Sequence, residues 1–160
     1  MFGKRLSEYL SFQKIPLGLI AAVGLARLGL SLAGLSNGAV AWLSMNVVGW
    51  AAALYYGFAV HARGFGSYKQ ILPLGIFQTV LQQSIAVVGI LLSMAGLPNV
   101  YAAPEYSFGA HSQALHILAH LTVGILVPPL LLWGAASLVL LVTRKVAPRQ
   151  SVSPAPAASS

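Results

Sequence analysis

No cysteine occurs in this chain, and its acidic residues number only two, Glu8 and Glu105. The first absence excludes disulfides, thiolate nucleophiles, Fe–S ligation and thiol redox pairs. The second removes paired-carboxylate chemistry from the apolar runs, since neither acid lies in one. No Ser-His-Asp set and no other catalytic set is visible, so the sequence does not point to an enzyme. Charge of either sign is scarce: 7% of residues, where soluble domains carry about 25%. A formal net charge of +7 would suggest nucleic acid as a partner for a soluble protein. Here eight of the nine basic residues are explained by where they fall along the chain, and no nucleic acid is implied.

What is present is apolar sequence, 58% of 160 residues, gathered into four runs at 15–36, 39–60, 71–97 and 112–143. Each reaches the roughly 20 residues a helix needs to cross about 30 Å of hydrocarbon. The gap at 37–38 and the loop 98–111 hold no Lys or Arg, whereas Lys4, Arg5, Lys14, Arg63, Lys69, Arg144, Lys145 and Arg149 flank the runs on the other side. The positive-inside rule therefore predicts an all-α polytopic membrane protein, four transmembrane helices in an up-down bundle with both termini cytoplasmic. The lack of long loops favours a bacterial inner membrane. Residues 1–14 are expected on the cytoplasmic face, 15–143 form the membrane domain, and the Pro-, Ala- and Ser-rich 144–160 reads as a disordered tail. A cleaved signal peptide is the weaker reading of the first run, because that run exceeds a normal h-region and Arg27 interrupts it.

Phe2, Leu6 and Leu10 recur at four-residue spacing beside Lys4, Arg5 and Glu8, which suits a short interfacial helix. A frayed leader is the alternative. Gly49, Ala53 and Gly57 in the second run, and Gly75, Gln78, Thr79, Gln82, Ala86, Gly89 and Ser93 in the third, form small or polar stripes expected to face each other or a common centre. Such faces let backbones approach in lipid, where small-residue contacts and interhelical hydrogen bonds hold helices together. Pro128 and Pro129 predict a kink near the middle of the last run. Gly64-Phe65-Gly66 follows no strand and reads as a connector.

Polar side chains inside a membrane are costly, so they are the first functional candidates. Arg27, Asn46 and His120 each fall roughly 12–13 Å below the outer surface at 1.5 Å per residue, on three different helices. Above them the loop 98–111 carries Tyr101, Glu105, Tyr106 and His111. Together they predict an outward-facing vestibule with Arg27 near its floor, and Arg27, Asn46 and His120 as candidate ligand- or cofactor-binding residues. Alternatively Arg27 snorkels to outer phosphates. If Arg27 has a carboxylate partner within the chain, only Glu105 can supply it.

His116 and His120, four apart on one helix face, match the spacing of helical two-His metal sites, with Glu105 or His111 as a third ligand for a divalent metal. The Glu of the His-Glu-x-x-His pattern is missing, since Ile117 follows His116. Haem fits less well, because an i,i+4 pair approaches the porphyrin from one side only. A quinone headgroup is a third candidate, with Arg27, His120, Asn46 and Gln82 as donors.

Two functions follow. One is an accessory or scaffold subunit packing through its small-residue faces, with the lipid bilayer, a second copy or partner membrane subunits as its contacts. The other is a metal-, quinone- or other small-ligand-binding redox or transport protein that uses the vestibule.

Overall fold

The computed structural model describes residues 1–106 and 111–147. Residues 107–110 of the outer loop and 148–160 of the expected tail lie outside the described residues. Everything regular among the described residues is helical: α1 (Leu6–Phe12), α2 (Lys14–Leu32), α3 (Asn37–Val40), α4 (Met45–Ala62), α5 (Tyr68–Met94), α6 (Gln113–Leu121) and α7 (Val123–Val146), with two 3-10 turns at Val100–Ala102 and Pro104–Tyr106. Four stretches are long and apolar enough to cross a membrane: Lys14–Leu32, Asn37–Ala62, Tyr68–Met94 and Gln113–Val146.

The helix ends follow local chemistry. Ser44 and Ser112 cap α4 and α6 by accepting from the amides of Val47 (3.4 Å) and Leu115 (3.3 Å). At the start of α5 the Ser67 amide donates to the Gln70 side chain at 2.7 Å, half of a reciprocal box. α2 and α5 end alike, on Gly34 (φ +91°) and Gly96 (φ +89°). The amides of Leu35 and Leu97 then reach back to the carbonyls of Leu30 and Leu92. That closure needs a left-handed residue, which glycine adopts without a Cβ penalty.

Two runs do not form single helices. The second is interrupted at 41–44, so α4 starts at Met45 rather than near residue 39. The fourth breaks at Thr122 (φ −108°, ψ −84°), earlier than the prolines, and α7 runs through both Pro128 and Pro129. The Thr122 hydroxyl donates to the Leu118 carbonyl at 2.7 Å. Such back-bonding to the preceding turn bends helices. α7 also continues through Arg144 and Lys145, past the expected boundary at 143.

α4 and α5 pack on each other, and both also pack on α2 and on α7. The basic end carries one core, in which Tyr9, Tyr56, Val60, Ile71 and Leu74 are buried with Phe12, Phe65 and Phe77 against them. The opposite end carries a second, built from Ile20, Leu28, Val40, Met45, Ile85, Val100 and Tyr101. α1 exists as expected. It turns Tyr9 inward and leaves Phe2, Leu6 and Leu10 exposed, and the Gln70 amide donates to the Phe2 carbonyl at 2.8 Å.

The small residues are where these helices touch. A Cβ on Gly57 would lie 2.7 Å from the Cβ of Val139 on α7, and one on Gly49 would lie 2.7–2.8 Å from the amide nitrogens of Gln82 and Gln78. Gly49 and Gly57 of the second-run stripe therefore meet α5 and α7 of the same chain, and in the third run Gly75 meets α7 while Gly89 meets Tyr101 and Asn99.

Candidate functional site

Gln78 and Gln82 sit one helical turn apart on α5 and are buried. Their amides donate to the carbonyls of Gly49 (3.1 Å) and Met45 (2.7 Å) on α4. The glycine at 49 permits this approach, and the bonds tie the start of α4 to the middle of α5. Beside this seam opens a cavity of about 480 Å³, lined from every major helix. Arg27 comes from α2, and Ser44, Asn46 and Trp50 from α4 and its cap. α5 adds Gln78, Gln82 and Gln83, α6 adds His120, and α7 adds Val127 and Leu131. Both helix interruptions, at Ser44 and at Thr122, fall beside it. Non-helical backbone at membrane depth is tolerated where it lines a cavity.

Residues 99–105 fold onto the same region. Val100 and Tyr101 are buried. The Val100 amide donates to the Ser31 hydroxyl at 2.8 Å, the Tyr101 hydroxyl donates to the Gly24 carbonyl at 3.0 Å, and the Asn99 amide donates to the Gly89 carbonyl at 2.7 Å. Residues 99–101 are thus packed onto the helices. Tyr101 lines the cavity, and so does the exposed Glu105.

Of the residues singled out from sequence, Arg27, Asn46, His120 and Glu105 meet around this one cavity. Arg27 is 8% exposed, so its side chain is enclosed by protein rather than spread over an outer surface. His116 is buried behind His120, and His111 is exposed and outside the lining.

The two histidines are engaged with each other. Their Nε2 atoms are 3.1 Å apart, and His120 Nδ1 faces Gln83 Oε1. An amide oxygen only accepts, so His120 Nδ1 carries the proton and donates. In the neutral ring Nε2 is then an acceptor, and His116 Nε2–H donates to it; this tautomer is set by the network. Among the described residues no three His, Asp or Glu gather into a group fit for a metal ion. The set His116, His120, Glu105 and His111 is not assembled there, and metal binding has no support.

Gln83, Ser44 and Trp50 were missed in the sequence as members of the site. Gln83 lies off the stripe that Gln78 and Gln82 share, and the usable signal was simply a polar residue in mid-span. Ser44 and Trp50 become visible only once the start of α4 is known.

Comparison with known protein families, with curated proteins and with solved structures finds no match for this chain.

Proposed function

We propose that this is a small integral membrane protein that binds a compact, amphipathic ligand within its helix bundle. One observation carries the reading: a cavity of about 480 Å³ into which Arg27, Asn46, His120 and three glutamines converge from four helices. That volume lies within the roughly 300–1,000 Å³ of ordinary ligand pockets, and the lining pairs many apolar groups with a few convergent polar ones. We place both termini on the cytoplasmic side of a bacterial inner membrane and the cavity toward the outer side, on the strength of the basic residues flanking the runs.

The accessory-subunit reading, the default from the sequence because each polar feature has a packing explanation, has the small-residue faces pack with partner helices or a second copy. Gly49 and Gly57 instead meet α5 and α7, so those faces supply no argument for an external partner.

The test is organic extraction and mass spectrometry of protein purified in mild detergent, beside the double variant Val127→Trp/Leu131→Trp. Both positions line the cavity and are partly exposed, at 45% and 57%, so bulk can enter there without overpacking a core. The expected result is a stoichiometric small molecule in the parent protein that is lost from the variant, which stays folded with a thermal midpoint equal to that of the ligand-stripped parent. A molecule retained equally by both would sink the reading. So would a parent protein that carries nothing and is stabilised by no added amphiphile.

A further inference from the structure

The cavity divides its chemistry by element. α7 contributes Val123, Gly124, Val127, Pro128, Leu131 and Leu132, with no polar side chain. Arg27 and the start of α4 contribute positive electrostatics. Arg27 is the one permanently charged side chain buried among the described residues, and guanidinium is a donor only. Ser44, Met45 and Asn46, the cap and first turn of an 18-residue helix, line the same space. A helix start carries about half a positive charge, and its first amides have no intrahelical acceptor. Glu105, the only acid in the lining, is exposed, so water screens its charge.

A second, independent observation indicates an occupant. Gln78 is fully buried and lines the cavity, its Nε2 is committed to the Gly49 carbonyl, and its Oε1 is buried without a hydrogen-bond partner. A buried amide oxygen left in that state is costly. An O–H or N–H on an occupant would satisfy it.

Building on the ligand-binding reading above, we infer that the cavity takes an amphipathic anion, a carboxylate or phosphate ester that also carries an O–H or N–H group. Its head lies against Arg27 and the α4 N-terminus, and its apolar body lies along the α7 wall. The source is either a free acid or an anionic lipid of the bilayer; the recognised chemistry is the same.

Trp50, itself in the lining, provides the probe. In a Trp42→Phe/Trp133→Phe background held in phosphatidylcholine nanodiscs, Trp50 is the sole indole. Bromine quenching is titrated with N-(omega-bromooctanoyl)glycine and with its neutral glycinamide, two amphiphiles that differ only in charge. The anion should bind about tenfold more tightly, the worth of one charge-assisted hydrogen bond. Arg27→Gln should erase that difference and leave the amide's affinity unchanged. If Arg27→Gln does not fold, the ratio in the parent protein decides alone.

Equal affinities overturn the anionic head while leaving ligand binding standing. If neither probe quenches, a molecule found by extraction would retire only the head assignment. If neither probe quenches and extraction finds nothing, both readings fall. Displacement of the bound anion by added phosphatidylglycerol would support the bilayer as its source, and binding that resists phosphatidylglycerol would support a free acid; either result carries the proposal.

Discussion

Residues of one type do different work in this chain, and glycine shows it most sharply. Gly57 faces the α7 backbone so closely that any side chain collides with it, whereas a Cβ on Gly18 of α2 meets nothing within 4 Å. Gly57→Leu is therefore expected to lower stability by about 1–3 kcal/mol, the usual cost of overpacking, read as a fall in thermal midpoint in detergent. Gly18→Leu should leave the midpoint in place, and a comparable fall at both sites would refute the assignment of α4 to α7. Sequence spacing put Gly49, Ala53 and Gly57 on one face correctly, because helical period alone decides that. That the second-run stripe faces the third was expected, and Gly49 does meet Gln78 and Gln82; that Gly57 meets α7 was not legible, since many partners satisfy the same pattern. His116 and His120 make the same point: their spacing is that of a metal pair, and only Gln83, brought in from α5, fixes their protons.

At the scale of elements, α1 is held by its own first turn as well as by packing. The Arg5 amide donates to Glu8 at 2.7 Å and Lys4 lies 3.1 Å from the same carboxylate. The backbone bond first, and the lysine second, hold Glu8 below its ordinary value of 4.5. A carboxylate lowered in the folded state stabilises above its unfolded value, and that contribution is lost as pH falls through the lowered one. Glu8→Gln should thus speed amide exchange across residues 6–12 at neutral pH, relative to intrinsic rates. The parent should show the same loss once acidified below 4.5, and equal protection of both proteins at all pH values would remove the cap from the account. The break at Thr122 invites a second measurement. If the Thr122–Leu118 bond bends the helix there, Thr122→Val should lengthen the distance between spin labels on Leu115→Cys and Val146→Cys, both exposed positions, and the absence of native cysteine leaves these labels unique. An unchanged distance would assign the bend to packing. The sequence pointed instead to Pro128 and Pro129, because proline is the loudest breaker; a threonine that bonds its own preceding turn is silent until the turn is seen.

Over the whole molecule, orientation remains the prediction with the widest consequence. Single cysteines at Gly38 and Lys145, both exposed, should react with a membrane-impermeant maleimide from opposite sides: Gly38→Cys in intact cells, Lys145→Cys only after the membrane is opened. Labelling of both from outside would overturn the two-termini-inside arrangement and the outward direction of the cavity with it. Four helices apolar enough to span were readable from composition, because the hydrocarbon thickness sets a length that few soluble helices meet. Counting residues along the runs put Arg27, Asn46 and His120 at one level, and the three do line one cavity, although α2 ends at Leu32 and α4 begins only at Met45. The sequence by itself therefore determined how many apolar stretches long enough to span there are and roughly where along the chain they fall. Only the tertiary structure decided where the second and fourth runs break, that Gly57 meets α7, and that Gln83 closes the histidine pair. Those outcomes depend on contacts between residues far apart in the chain, such as Gly57 with Val139 and Gln83 with His120, for which local periodicity carries no information.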